Sequence, residues 1–214
     1  MAAILPAQRV GDYRDPDQLH TEGWTTVFNG KDFSGWAVVL AGETRATRYF
    51  GDRVAEQSTF SIQDGMIATT GKPNGYVRTV DVYDNFVFHV EVRFSDQGNS
   101  GVLIHVQNDA VWPKAIECQL YQAHMGRIFP IQGATAEGGE MIHAAARPLG
   151  EWNTYEVYSE EGRVATVLNG AVVGLASNAN PKVGYIALQS EGAPAQFRNV
   201  RVKRYTPAHH MRGR

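Results

Sequence analysis

The stretch GNSGVLIHVQNDAVWPKAIECQLY, residues 98–121, decides the fold. It reads as a tight Gly/Asn/Ser corner, a strand over 102–107, a loop closed by Trp112-Pro113, and a second strand over 115–121. Val102, Ile104 and Val106 share one parity, and Leu103, His105 and Gln107 the other. Ile116, Cys118 and Leu120 alternate in the same way with Glu117, Gln119 and Tyr121. A period of two puts successive side chains on opposite faces of a sheet, so the pair predicts antiparallel strands with one greasy face. The other face carries an imidazole, a carboxylate, carboxamides and a phenol, with the Trp112 loop placed to overhang them. For any single residue this is the ordinary wet side of a half-buried sheet. As a set it has the composition of a saccharide site.

Outward from this stretch the chain keeps the same habit. Before it, Phe86, Phe88, Val90, Val92 and Phe94 alternate with Val87, His89, Glu91 and Arg93, which predicts a central strand whose polar side is a cross-strand charge ladder. Earlier strands are expected over 25–28, 59–63, 66–69 and 76–79, punctuated by Asn29-Gly30, Asp64-Gly65 and the 71–75 loop. Trp24 and Trp36 flank a turn and read as core anchors. The segment 43–57 has no clean period and is expected to be a long loop. After the opening stretch, 124–141 is Gly-rich with few strand signals, and two readings stay open for it: a lid over the polar face that brings His124 and Arg127 near Glu117, or a mobile surface loop. Strands follow over 151–158 and 164–168, then the Asn169-Gly170 hairpin turn, then 184–189 and 196–205. Short strands at such spacing, with no helical period, predict an all-β, two-sheet antiparallel sandwich, and in its jelly-roll form one curved outer face is a groove. The expected organisation is an N-terminal extension (1–22), one domain (23–205) and a tail (206–214).

Composition narrows the function classes. Twenty Lys and Arg against 22 Asp and Glu leave a net charge of −2, with no basic stripe, so nucleic acid and anionic membrane are excluded as expected partners. A neutral small molecule fits better. No apolar run approaches the roughly 20 residues of a membrane span, and MAAILPAQRV lacks the basic start of a signal peptide. The single cysteine, Cys118, sits at a core parity and is expected to be a buried thiol. There is no phosphate-binding loop, no G-x-G-x-x-G after a strand, no H-E-x-x-H and no paired C-x-x-C. Ser100 and Ser190 lack the context of a nucleophile. No cofactor is expected, and the tail histidines have no partners near in sequence. What remains is carboxylates, carboxamides, Arg, His and aromatics on strands. A two-carboxylate glycosidase requires a second acid about 5–10 Å from Glu117. Glu191, in step with Gln189, is the candidate, with Glu156 behind it.

Several blocks together resemble the 3-keto-disaccharide hydrolase family. They are VFNGKDFSGW, GKPNGYVRT, DNFVFHVEVRF followed by GNSGVLIHV, WPKAIECQL, GEWNTYEV with VLNG, and GYIALQSEGAPAQFRNVRV, spread over about residues 23–205. The resemblance implies a concanavalin/laminin-G-like jelly roll with a concave polar groove. It also implies cleavage of 3-keto-disaccharides, whose C3 ketone is made beforehand by a separate sugar 3-oxidoreductase, and it favours a periplasmic or secreted location. A C3 ketone acidifies the C2 proton, so the glycosidic bond can break by elimination, with water added back afterwards. On this reading Glu117 is the base and His105 the acid or enolate donor. Asn99 and Gln119 orient hydroxyls, Lys72, Tyr76, Arg78, Gln189 and Glu191 bind substrate, and Trp112 stacks on a ring. Many family members carry a His after the LQ of the last block, where this chain has Ser190-Glu191. Two rivals stay open: a non-catalytic carbohydrate-binding module on the same scaffold, and a metal-assisted lyase using Glu117, His105 and His124.

Overall fold

The structure, a computed structural model, describes residues 23–42, 48–49 and 59–207. The expectations for 1–22, for most of the 43–57 loop and for the tail histidines lie outside the described residues.

The described strands, in chain order, are β1 (Thr25–Thr26), β2 (Trp36–Leu40), β3 (Arg48–Tyr49), β4 (Phe60–Gln63), β5 (Met66–Thr69), β6 (Gly75–Thr79), β7 (Phe86–Phe94) and β8 (Gly101–Val106). They continue with β9 (Ala115–Gln119), β10 (Ile128–Ile131), β11 (Thr135–Met141), β12 (Asn153–Glu160), β13 (Arg163–Leu168), β14 (Ala171–Asn180), β15 (Tyr185–Ser190) and β16 (Ala195–Arg204). They form two antiparallel sheets. The nine-stranded sheet runs β11-β14-β13-β12-β7-β16-β5-β4, with β1 also on β16, and the seven-stranded sheet runs β10-β9-β8-β15-β6-β2-β3. The all-β sandwich predicted from the spacing is the observed architecture.

Its interior is built from the inward parities. Phe86, Phe88, Val90, Val92 and Phe94 of β7 meet Val102, Ile104, Ile116, Cys118 and Leu188 of the opposing sheet. Each large apolar side chain so buried stabilises by roughly 1.5–3 kcal/mol. Trp36 is the expected core anchor, 1% exposed, with its indole N–H donated to the Val27 carbonyl at 2.7 Å. Trp24 is not. It lies on the outer face of the nine-stranded sheet, edge-on to His89 at 5.9 Å between ring centroids.

Residues 128–141 are not an irregular lid. They make β10, which adds an edge to β9, and β11, which pairs with β14. The edge strand is held by backbone hydrogen bonds, and Gly138 and Gly139 adopt positive φ at the register shifts of β11, so neither strand alternates cleanly in sequence. At one end of the sandwich the β5–β6, β7–β8 and β15–β16 connections cross between sheets side by side. Gly192 N–H donates to the Gly71 carbonyl at 2.8 Å, and Asn99 bridges to Glu191 and Gly192. These crossings fix the residues of the site described next.

Candidate functional site

Because Ile116 and Cys118 point into the core, Glu117 and Gln119 face outward from the seven-stranded sheet. Glu117 stands opposite Leu103 on β8 and Phe129 on β10, and Gln119 stands opposite Gly101. On β15, Gln189 pairs with Tyr76, and its carbonyl accepts from Ser100 Oγ at 2.8 Å, which brings β15 up to the corner before β8. Gly101 lies between the Glu117 and Gln189 side chains. A Cβ there would sit 2.9 Å from Gln189 Oε1 and 3.1 Å from Glu117 Oε1, and the residue's φ is not in the left-handed region. The backbone therefore does not ask for glycine at 101. The side chains leaning over it do.

Glu117 is 4% exposed and has no hydrogen bond or ion pair among the described residues. Burial pushes its carboxyl up to about 8, with the nearby charge of Glu191 adding to the shift. A buried acid without a cation stays protonated at neutral pH. Glu191, half-buried on the neighbouring crossing, is also raised by burial, but the Asn99 side-chain amide donates to it and opposes the shift. Asn99 Oδ1 and Gln189 Oε1 are buried without a hydrogen-bond donor. An unmet buried acceptor costs about 1–3 kcal/mol. Two of them, with a buried carboxyl and a second acidic side chain close by, make an acceptor-rich cluster, whose needs a group bearing several hydroxyls would meet.

Other expected members are elsewhere. His105 is a correction: it takes φ 55° at a bulge where the β8–β15 register shifts, and the ring turns into the interior with no exposure. There its Nε2 lies 2.8 Å from Ser159 Oγ of the other sheet, and its ring packs edge-on to Phe86. Burial lowers its pKa to about 4, against the opposing pull of the Tyr83 backbone and the Asp84 charge. It is a neutral core histidine and stands apart from Glu117, so the set Glu117, His105 and His124 does not assemble. His124 is exposed on a 3-10 turn beside Tyr121, and no group of three or more His, Cys, Asp or Glu gathers among the described residues.

Tyr76 and Arg78 are also corrected. The Tyr76 hydroxyl donates to the carbonyls of Asn108 and Ala110 at 3.1 and 2.9 Å, and Arg78 grips Asp109 through two hydrogen bonds of 2.6 and 3.1 Å. Both hold the β8–β9 loop against the sheet. Trp112, on that loop, is 42% exposed. Gln119 accepts the Leu120 and Tyr121 N–H groups with its own Oε1 and so shapes the end of β9. Arg127 is the neighbour of Gln119 across the backbone but pairs with Glu140 at 2.9 Å. Lys72 is exposed on the β5–β6 connection, and its carbonyl accepts from Thr59 and Thr70. Glu156 is on the outer face of the other sheet, bonded to His89 and Tyr158. Ser190 turns inward, accepting from Thr69 Oγ1 at 2.8 Å. The structure thus gathers Glu117, Gln189, Glu191 and Asn99 of the expected set. It adds Gly101 and Phe129, which the sequence reading does not single out. The parity of Phe129 with Arg127 was the available signal for one, and the glycine that opens an alternating strand for the other.

A β-sandwich with acidic and carboxamide groups on one outer sheet face is the build of a carbohydrate-processing protein. The chain belongs to the 3-keto-alpha-glucoside-1,2-lyase-like domain family, whose sequence profile matches residues 23–203. It is 27% identical to a 3-keto-disaccharide hydrolase of Bacteroides thetaiotaomicron, over 86% of this chain and 79% of that protein. Among solved structures, a protein of Parabacteroides distasonis provisionally called a glycosyl hydrolase superposes with a TM-score of 0.66 at 24% identity, covering 86% of this chain and 94% of the other. The carbohydrate-binding module CBM66 of Bacillus subtilis superposes at 0.55 with 14% identity, over 85% and 95% of the two chains. At these identities the structural likenesses establish the fold alone. The family and the curated relative place the chain among carbohydrate-processing hydrolases.

Proposed function

We propose that the chain cleaves the glycosidic bond of 3-keto-glycosides by elimination and rehydration, with Glu191 and Glu117 as the proton-transfer pair. The observation that carries this reading is the meeting, over Gly101, of a protonated buried carboxyl with the Gln189 carboxamide oxygen, which lacks a donor, beside a Glu191 that Asn99 bonds. The roles differ from the sequence expectation. Glu117 is held protonated, so it donates. Glu191, less buried and bonded by Asn99, ionises first and is the base.

In the forward step Glu191 takes the C2 proton, whose acidity the C3 ketone supplies. The electron pair forms the C1=C2 bond through the enolate, the C1–O bond breaks, and Glu117 protonates the departing oxygen. In the second step Glu117, now a carboxylate, takes a proton from water as it adds to C1, and Glu191 returns its proton to C2. Both carboxyls end as they began. Asn99 Oδ1 and Gln189 Oε1 accept from ring hydroxyls and hold the sugar in place. Each such proton transfer contributes about 10²–10⁴-fold. The C3 ketone has to be introduced by an oxidation of the parent glycoside, so a sugar 3-oxidoreductase would act upstream.

Incubating the protein with 3-keto-trehalose and with trehalose, and following products by mass spectrometry, tests the reading. Cleavage of the keto sugar alone is expected. Cleavage of unmodified trehalose would point to ordinary glycosidase chemistry, and binding without turnover to a carbohydrate-binding module. Glu117→Gln and Glu191→Gln are each expected to lose at least ~100-fold in kcat. Wild-type turnover by either variant would remove that residue from the mechanism.

A further inference from the structure

The outer face of the nine-stranded sheet carries a groove of about 570 Å³, on the opposite sheet from Glu117. Its form follows from register. Arg93 of β7 stands opposite Gln196 of β16, Gln196 opposite Ala68 of β5, and Ala68 opposite Ser61 of β4. One row of four side chains on the same face is therefore guanidinium, carboxamide, methyl, hydroxyl. The small Ala68 side chain is the low point, and three strand spacings, about 14 Å, separate the two walls. Gln63 adds a second carboxamide to the far wall, its amide donating to Ser61 Oγ at 3.1 Å. The volume falls within the usual range for small-molecule sites, roughly 300–1,000 Å³.

The charge in this groove is unbalanced. Arg93 donates through Nε and Nη2 to the neutral Gln196 Oε1, at 3.0 and 2.5 Å, and its guanidinium carbon lies 4.7 Å from the centre of the Trp152 ring. The adjacent carboxylate, Glu91, is already taken by Arg198 and Asn199. No Asp or Glu lines the groove, and no carboxylate pairs with Arg93 among the described residues. Arg93 is thus a cation fixed in place by an amide and an indole, facing a trough with hydroxyl and carboxamide walls and a methyl floor. An anion at one end of a polyhydroxylated ring complements both features, since a fixed guanidinium fork favours a planar carboxylate.

We propose that this trough is a second saccharide site and that it takes a carboxylated sugar, a uronate residue, with its carboxylate on Arg93. It is separate from the site at Glu117 and does not depend on what that site cleaves. The test is a titration of ¹⁵N-labelled protein with glucuronate, glucose and sodium sulfate, followed through the backbone amides. Glucuronate is expected to give saturable shifts at Ser61, Ala68, Arg93 and Gln196, in the wild type and in Glu117→Gln alike. Glucose is expected to bind at least tenfold more weakly. Arg93→Gln should weaken glucuronate binding roughly ten- to hundredfold, the loss of a hydrogen bond to a charged group, with the core amides unmoved. Ala68→Phe, which fills the trough and leaves the cation, should abolish it. Absence of saturable shifts at these amides overturns the site. Equal affinity for glucose and glucuronate, or sulfate giving the same shifts at the same affinity, overturns the ligand class.

Discussion

Gly101 shows how a residue with no side chain can make room for two others. Its φ is available to any amino acid, yet a methyl group there would stand about 3 Å from both Glu117 and Gln189 oxygens. Contacts that short force the long side chains aside, and misplacing a catalytic group by about 1 Å costs on the order of 100-fold. Gly101→Ala is expected to fold normally, since the atoms it meets are the ends of flexible side chains, and to lose about that factor in kcat/KM. Its pH profile should move as well, because Glu117 would be pushed from the position where burial holds it protonated. A variant with wild-type kcat/KM and an unchanged profile would show that the side chains meeting over Gly101 are not used. Glu117 itself was legible in the sequence, because the strict alternation of Ile116, Cys118 and Leu120 leaves 117 outside. Asn99, Gln189 and Glu191 were legible as polar types at the end of strands. Tyr76 and Arg78 show the limit of that reasoning: their types suit a sugar, but Asn108, Ala110 and Asp109 reach them first, and no spacing along the chain announces that contact.

At the scale of the element, the instructive case is β8. A run of perfect alternation, Val102 to Gln107, hides a bulge at His105, and one extra residue on a strand sends every later side chain to the opposite face. His105 goes in and Val106 goes out, the reverse of the pattern. Gly184, just before the partner strand β15, makes room for this, since a Cβ there would lie 2.5–2.7 Å from the His105 backbone and the Val106 carbonyl oxygen. These are backbone atoms and cannot swing away. Gly184→Ala is expected to destabilise the fold by about 1–3 kcal/mol, read as a lower urea midpoint. Ser159→Ala tests the same joint from the other sheet. It removes the 2.8 Å partner of His105 Nε2 and leaves a buried ring nitrogen unmet, at a cost of about 1–3 kcal/mol. Wild-type stability in both would mean that the bulge is soft enough to relax. The strands β10 and β11 were hidden for a related reason: their pairing is carried by backbone bonds and broken by glycines, so side-chain pattern has little to report.

Across the whole molecule, two buried groups of opposite sign set how stability responds to pH. His105 has a folded pKa of about 4, below its ordinary 6.5, so the unfolded chain binds the proton more readily between those values. Stability from this group is present above pH 6.5 and is lost as pH falls toward 4. Glu117 has a folded pKa of about 8, above its ordinary 4.5, so here the folded chain binds the proton more readily. Its contribution is present below pH 4.5 and is lost as pH rises toward 8. Between 4.5 and 6.5 the two slopes, each about 1.4 kcal/mol per pH unit, cancel. Below that window Glu156 joins His105. Burial pushes its carboxyl up, but the bonds from His89 and Tyr158 outweigh burial and hold it low, so its stabilisation too fades in acid. The protein is therefore expected to show a shallow decline of melting temperature near pH 4.5–6.5, where the raised carboxyl of Glu191 adds to the Glu117 side, and a fall of about 2 kcal/mol from pH 6.5 to 8. For a domain of this size that fall is roughly 4–8 °C. Glu117→Gln cannot ionise, so its melting temperature should stay level across the alkaline limb and exceed that of the wild type at pH 8, although the change removes turnover. A calorimetric scan of both proteins from pH 4 to 9 decides it. Parallel alkaline limbs would mean that Glu117 ionises freely in the folded state, and the proton it is proposed to donate would not be there at neutral pH.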